Sequence, residues 1–126
     1  MVKRKIIFNM KGENEMERKE NFEKGIENLR RAILQNYVEW CSKTTIEVDE
    51  NRIQDFENSL WISHGRKYTA VWRGDTIWGF VVNSAIDPKF QLGDILKPSG
   101  WRTPARNFER GNIFESDMNV HWAGAC

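Results

Sequence analysis

Between about Glu17 and Lys43 the chain alternates apolar and charged positions with a helical period. Phe22, Ile26, Leu29, Ile33, Tyr37 and Trp40 follow one another at steps of four, three, four, four and three. That spacing puts them on one stripe of an amphipathic helix. Leu34, Val38 and Cys41 widen the stripe toward the C-terminal end, which predicts deeper burial there, within this chain or against a copy of it. Gly25 weakens the first turns by roughly 1 kcal/mol relative to alanine. Residues 1 to about 18 show no sustained period and read as a flexible arm, or a short strand at Lys5 to Asn9 followed by linker.

After the helix the period changes. Thr44 to Val48 is β-prone and is broken by Asp49-Glu50-Asn51; Arg52 to Asn58 is a polar connection with room for one helical turn; Leu60 to Ser63 is a short strand. The strongest local signal is Lys67 to Arg73 and Thr76 to Val82 flanking Gly74-Asp75, a two-residue loop that closes a tight hairpin. With no irregularity, Arg73 faces Thr76, Trp72 faces Ile77, Val71 faces Trp78, Ala70 faces Gly79, Thr69 faces Phe80 and Tyr68 faces Val81. Both faces then carry aromatics, whereas a single sheet packed on one helix should have one polar face. The second face therefore needs a cover: the C-terminal segment, a ligand or another subunit, and a subunit together with a pocket fits best.

Ser84 to Lys89 reads as a loop and Phe90 to Leu96 as a strand with Gly93-Asp94 as a turn or bulge inside it. In the stretch Leu96 to Asn112, Thr103 followed by Pro104 has the pattern of an N-cap and first helical position, and Gly111 that of a terminator. A short helix over 104–110 is predicted, with Arg106 and Arg110 on one face. Paired guanidiniums near a helix start, with Trp101 and Phe108 close in sequence, suit a phosphate or carboxylate. The plainer alternative is a surface helix whose arginines pair with Glu109, Glu115 or Asp117. Asn119 to Trp122 is an edge-strand candidate, and Ala123 to Cys126 is expected to be disordered.

These elements predict an α+β fold in one domain spanning 1–126: an arm over 1–18, a helix over 19–43 packed on a small antiparallel sheet within 60–122, and a short C-terminal helix, assembled as an oligomer. Composition narrows the function. A chain of 126 residues with a formal charge of +1 is not a bulk polyanion binder. From Arg66 to Ile113, however, eight basic residues stand against four acidic ones. Cys41 and Cys126 form no zinc spacing and no disulfide framework, so a reduced cytosolic setting is the default. No signal peptide or membrane span is legible. His64 and His121 lack motif partners, and no phosphate loop, nucleophile elbow or carboxylate pair appears, so the chain is read as a non-enzyme without cofactor or metal. What remains is aromatic surface, rich in the six tryptophans, interleaved with arginines: Arg66, Arg73, Trp78, Phe80, Trp101, Arg102, Arg106, Phe108 and Arg110. Bases stack on aromatics and arginines grip phosphates, as in nucleotide and single-strand binding.

Arg66-Lys67-Tyr68, Trp78-Gly79-Phe80, Gly93-Asp94-Ile95-Leu96-Lys97-Pro98, Trp101, Pro104-Ala105 and Arg110-Gly111-Asn112-Ile113-Phe114 resemble tracts of small tailed-phage and prophage proteins. The size, the helix-first layout and the paired arginines resemble the first-described family of Thoeris anti-defence proteins. The resemblance covers the C-terminal half, while the N-terminal helix agrees only in kind. It implies a sponge in the host bacterial cytoplasm that binds cyclic ADP-ribose isomers made by TIR-domain proteins without degrading them. It also implies cyclic oligonucleotides of CBASS at a second site in some members, and dimers that assemble into hexamers with the pocket at the dimer interface. By residue, it would put the pyrophosphate on Arg106 and Arg110 and the base on Phe80 or Trp78. Trp101, Arg102, Thr103 and Arg66 are ligand candidates by position alone. The alternatives are a phage single-stranded nucleic-acid-binding or host-takeover protein, and an interaction protein whose aromatics only build an interface.

Overall fold

The computed structural model describes residues 15–44, 49–100, 102–115, 118 and 120–124. Helix α1 runs Glu15–Lys43 and helix α2 runs Glu50–Ser59. Strands β1 (Leu60–His64), β2 (Tyr68–Arg73), β3 (Thr76–Val82) and β4 (Ile95–Leu96) form an antiparallel sheet in the order β1-β2-β3-β4. The α+β class and the N-terminal helix packed on a small sheet are thus as the patterning predicts.

The stripe of α1 is buried through Phe22, Ile26, Leu29, Ile33, Tyr37 and Cys41, with Trp40 only half-buried. Full burial of side chains such as Leu29 and Ile33, both 0% exposed, contributes about 1.5–3 kcal/mol each. Gly25 is where Ile113 of the C-terminal segment comes close to α1: a Cβ there would lie 2.8 Å from Ile113 Cδ1. The polar connection at 52–58 is longer than one turn, because Asp49 caps it by accepting from Asn51 N at 3.0 Å, which satisfies a donor that otherwise has no partner. Phe56 of α2 stacks on Tyr37 of α1 with centroids 4.0 Å apart and planes 3° apart. Trp122 meets Tyr37 edge-on at 5.2 Å, and its backbone N donates to Asn36 Oδ1 at 2.8 Å. Of the β-prone run at 44–48 only Thr44 lies within the described residues; it closes α1 by donating its backbone N to Trp40 O.

The hairpin departs from the simple register. Trp72 faces Ile77, but Val71 faces Gly79, Ala70 faces Phe80, Thr69 faces Val81 and Tyr68 faces Val82. Trp78 is the extra residue of a β-bulge, and because side chains alternate with a period of two, every residue after it changes face relative to a regular pairing. The consequence is a clean partition. Leu60, Val71, Trp78, Val81 and Ile95 join the helix-side core, and Ala70, Trp72, Ile77, Phe80, Val82 and Leu96 form a second cluster with Phe90 and Tyr68.

No helix forms over 104–110. These residues return irregularly beside the β4 arm, bonded to it at both ends: Arg110 N donates to Ile95 O at 2.7 Å, Ile95 N to Gly111 O at 2.9 Å, Ala105 N to Lys97 O at 2.8 Å and Ser99 N to Thr103 O at 2.6 Å. A seven-residue helix is marginal in isolation, and the residue before a proline is pushed to extended geometry, so pairing with β4 satisfies more backbone groups. The sheet itself ends at Leu96 rather than continuing to 122. Of the strand read over 90–96, Ile95–Leu96 form the ladder with β3, and Gly93 N and Asp94 O bond the backbone of Val82 at its end; Gly93, at φ +90°, turns the chain there. At the C-terminal end, His121 to Gly124 is a turn closed by Gly124 N donating to His121 O, not an edge strand, and residues 125–126 lie outside the described residues.

Candidate functional site

The second sheet face carries a groove of about 310 Å³. Its floor follows from the strand pairing. Ala70 sits between Ser63 on β1 and Phe80 on β3, so a small side chain leaves a depression among Tyr68, Trp72, Ile77 and Phe80. Its rim is cationic, with Arg66 and Lys67 from the β1–β2 turn and Arg102 from the far loop, and the described lining contains no carboxylate. The guanidinium of Arg102 lies 5.5 Å from the Trp72 ring centroid, and Trp61, 45% exposed, stacks on Trp72 at 4.8 Å and 8°. Arg102 holds φ +59°, a left-handed conformation that costs an arginine about 1–2 kcal/mol. Trp72 Nε1 is engaged by Ser63 Oγ at 3.2 Å. A cation rim over an aromatic floor can hold a planar ring and an attached anionic group together.

Arg106 stands beside this groove as a strut. It donates twice to Asp87, Nη1 to Oδ2 and Nη2 to Oδ1, each at 3.0 Å, donates to the Tyr68 hydroxyl, and lies over Phe90 at 4.9 Å. Hydrogen bonds from Arg106 hold the Asp87 carboxyl well below the usual carboxylate range, against the opposing effect of burial. The pairing in turn raises the Arg106 guanidinium above its ordinary value. Asp87 also accepts from Lys89 N and Phe90 N at 2.9 Å each, so the 87–90 loop is folded around it.

The expected pairing of Arg106 with Arg110 is replaced by two separate settings. Arg110 is half-buried, with its guanidinium 3.9 Å from the Phe108 centroid and its Nε enclosed without a hydrogen-bond partner. Trp78 is 2% exposed in the helix-side core and donates its indole N–H to His121 O at 2.8 Å, so it presents no face to a ligand. Phe80, 5% exposed, does reach the groove floor, edge-on to Tyr68 at 6.1 Å. Thr103 is exposed and bonds back to Ser99 through its carbonyl rather than capping a helix. Trp101 lies outside the described residues. The structure thus brings Arg66, Phe80 and Arg102 to one groove and adds Lys67, Tyr68 and Trp72, which the sequence did not mark as ligand candidates. Tyr68 and Trp72 alternate with Ala70 on β2, and that alternation is the signal that could have found them.

Among the described residues no group of three or more His, Cys, Asp or Glu could hold a metal ion, and no helix is long and apolar enough to cross a membrane.

The chain belongs to a family of unknown function, DUF7717, whose model matches residues 6–126. No curated protein and no solved structure matches it.

Proposed function

We propose that this protein is a non-catalytic binder of a nucleotide-type signal, held on the second sheet face. The observation that carries the reading is the groove, where Arg66, Lys67 and Arg102 surround a floor of Tyr68, Trp72 and Phe80 with no acidic residue in its described lining. Its volume of about 310 Å³ falls at the lower end of the usual ligand-pocket range. A larger ligand would need walls from a second copy, and exposed Trp61 offers that copy an apolar contact. The resemblance to Thoeris anti-defence proteins directs the proposal further: a phage sponge for cyclic ADP-ribose isomers, with cyclic oligonucleotides as a second ligand class, acting as a dimer or hexamer in the host cytoplasm. In this reading Arg106 shapes the groove through Tyr68 rather than gripping the pyrophosphate itself.

A sponge must bind at or below the concentration of the signal, so an affinity near nanomolar, about −12 kcal/mol, is required. The test is to mix the purified protein with a TIR-generated cyclic ADP-ribose signal, filter, then heat the retained protein and assay both fractions. Depletion of the filtrate with intact signal returned on heating supports sequestration. Signal left in the filtrate defeats it, and retention of single-stranded oligonucleotide with a steep loss in salt would replace it with a nucleic-acid binder. Signal returned in altered form would mean catalysis.

A further inference from the structure

Strand β1 lies at the edge of the sheet, and the bonds that flank its ladder fix which of its backbone groups face outward. Gly65 N donates to Tyr68 O, and Gly74 N to Ser59 O. Trp61 stands opposite Trp72 and Ser63 opposite Ala70. Hydrogen-bonded pairs alternate along an antiparallel ladder, so the odd-numbered residues of 59–65 bond β2 and the even-numbered ones turn away from it. Leu60 N already donates to Glu57 O at the end of α2. Leu60 O and the N–H and C=O groups of Ile62 and His64 therefore line the open edge, and among the described residues no further backbone bond reaches them. Natural edges are shielded by lysine, proline or a bulge. Leu60–His64 contains no Lys, Arg, Asp, Glu or Pro, and its register with β2 is unbroken.

An open edge is a template for another strand, and its surroundings select a copy of this chain. Two copies related by a two-fold axis at Ile62 pair antiparallel. Ile62 N then meets Ile62 O in both directions, and His64 N meets Leu60 O in both directions, so the pairing uses no donor that α2 has already engaged. On the groove face Trp61, 45% exposed, comes opposite the smaller Ser63 of the other copy, and on the helix face the two Ile62 side chains meet. The same axis brings the C-terminal end of α2, which adjoins Leu60, toward the β1–β2 turn of the other copy. Helix α2 carries Glu50, Asp55 and Glu57 against Arg52, and its C-terminal end is the negative pole of the helix. The turn carries Arg66 and Lys67. Opposite charges thus meet at both ends of the paired strands, whereas parallel pairing would set the two acidic ends side by side.

We infer that the protein dimerises by antiparallel pairing of its β1 edges about Ile62, and that each copy brings its Trp61 to the border of the other's groove, where Ser63 forms part of the wall. The sheet then runs unbroken across both copies. This pairing does not rest on the nucleotide reading: the edge is complementary to itself whatever the groove holds.

The test measures mass and amide hydrogen exchange on the full chain. Analytical ultracentrifugation should show a monomer–dimer equilibrium. In the dimer the amides of Ile62 and His64 should exchange as slowly as those of Trp61 and Ser63, which β2 already holds; dilution to monomer should release the first two and not the second two. Ile62→Pro removes an N–H that the monomer does not use, at an edge position where proline is tolerated, and should shift the equilibrium to monomer while the circular dichroism stays native. Glu57→Lys should weaken the dimer several-fold, and adding Lys67→Glu should restore it, a rescue that misfolding does not mimic. If Ile62→Pro does not fold, the exchange pattern and the charge reversal decide. A monomer at every concentration, a dimer whose Ile62 and His64 amides exchange freely, or a charge reversal without rescue would each overturn the inference. So would slow exchange of those two amides in a monomer, which would put another segment of this chain on the edge.

Discussion

Arg106 and Asp87 face each other in a two-point contact, both N–O distances 3.0 Å, with the aspartate side chain 7% exposed and the arginine 38% exposed. The pair ties the 104–110 return to the 87–90 loop. Because Asp87 is held below its ordinary pKa of 3.8, the unfolded chain takes up a proton more readily than the folded one. Its contribution is therefore complete at neutral pH and is lost as pH falls below about 4. Asp87→Asn should flatten the decline of the urea midpoint between about pH 4 and pH 2 relative to the native chain; parallel curves would mean the pair is energetically idle.

The two partners should not cost the same when removed. Half-solvated Arg106 contributes mainly a partly screened ion pair, so Arg106→Ala should cost about 1 kcal/mol. Asp87→Ala also strips the acceptor from Lys89 N and Phe90 N, and should cost about 2–3 kcal/mol. Urea denaturation at neutral pH measures both, and equal losses would contradict the structural role assigned to the loop.

Arg102 separates stability from binding. Glycine at this position relieves the left-handed strain at φ +59° but adds freedom to the unfolded chain, so Arg102→Gly should stay within about 1 kcal/mol of the native stability. Arg102→Gly and Arg102→Ala should both lose about tenfold in affinity for a phosphorylated nucleotide, through the missing guanidinium. Calorimetric titration decides it: unchanged affinity in both variants would remove Arg102 from the site.

Much of this fold was legible because its signals are local. The stripe from Phe22 to Tyr37 reports its own period, and Gly74-Asp75 needs only the turn it makes. The Trp78 bulge is not local: nothing in Trp78-Gly79 distinguishes a regular pair from an inserted residue until the strand meets both its neighbours and α1, and that single residue decides whether Phe80 or Val81 faces the groove. Thr103-Pro104 carried a real helix-start pattern, but the backbone of 95–97 offered better partners, and a competition between local propensity and tertiary pairing cannot be read from one side. For the same reason the arginine pair dissolved. Its apparent proximity depended on a helical turn, whereas Asp87 lies 19 positions away from Arg106.

Gly25 was legible as a weak point of α1, and the structure supplies its use. A Cβ there would sit 2.8 Å from Ile113 Cδ1 and 2.9 Å from Cγ1. Gly25→Ala gains up to about 1 kcal/mol of helix propensity and loses about 1–3 kcal/mol to overpacking, so the net change should be destabilising. Ile113→Val removes the nearer atom, and the double variant should be more stable than the sum of the singles predicts. A double-mutant cycle in urea tests this, and additivity would show that the contact relaxes without cost.

Trp78 and Phe80, two residues apart on β3, should fail in different ways. Trp78 is buried against α1 with its indole N–H bonded to His121 O at 2.8 Å, so Trp78→Phe leaves a void and removes one of that carbonyl's two donors, Gly124 N being the other, costing about 2–3 kcal/mol. Its ligand affinity, measured well below the melting temperature, should be unchanged, because no part of Trp78 borders the groove. Phe80→Leu keeps an apolar side chain of similar volume and should cost less than about 1.5 kcal/mol of stability, yet it removes aromatic surface from the groove floor and should weaken nucleotide binding several-fold, short of the 1–3 kcal/mol of a fully stacked base. The opposite pattern, with binding lost at Trp78 and kept at Phe80, would return the ligand to the helix side of the sheet. Loss at neither residue would leave the cationic rim to act alone, and binding should then fall with salt as a screened surface interaction does.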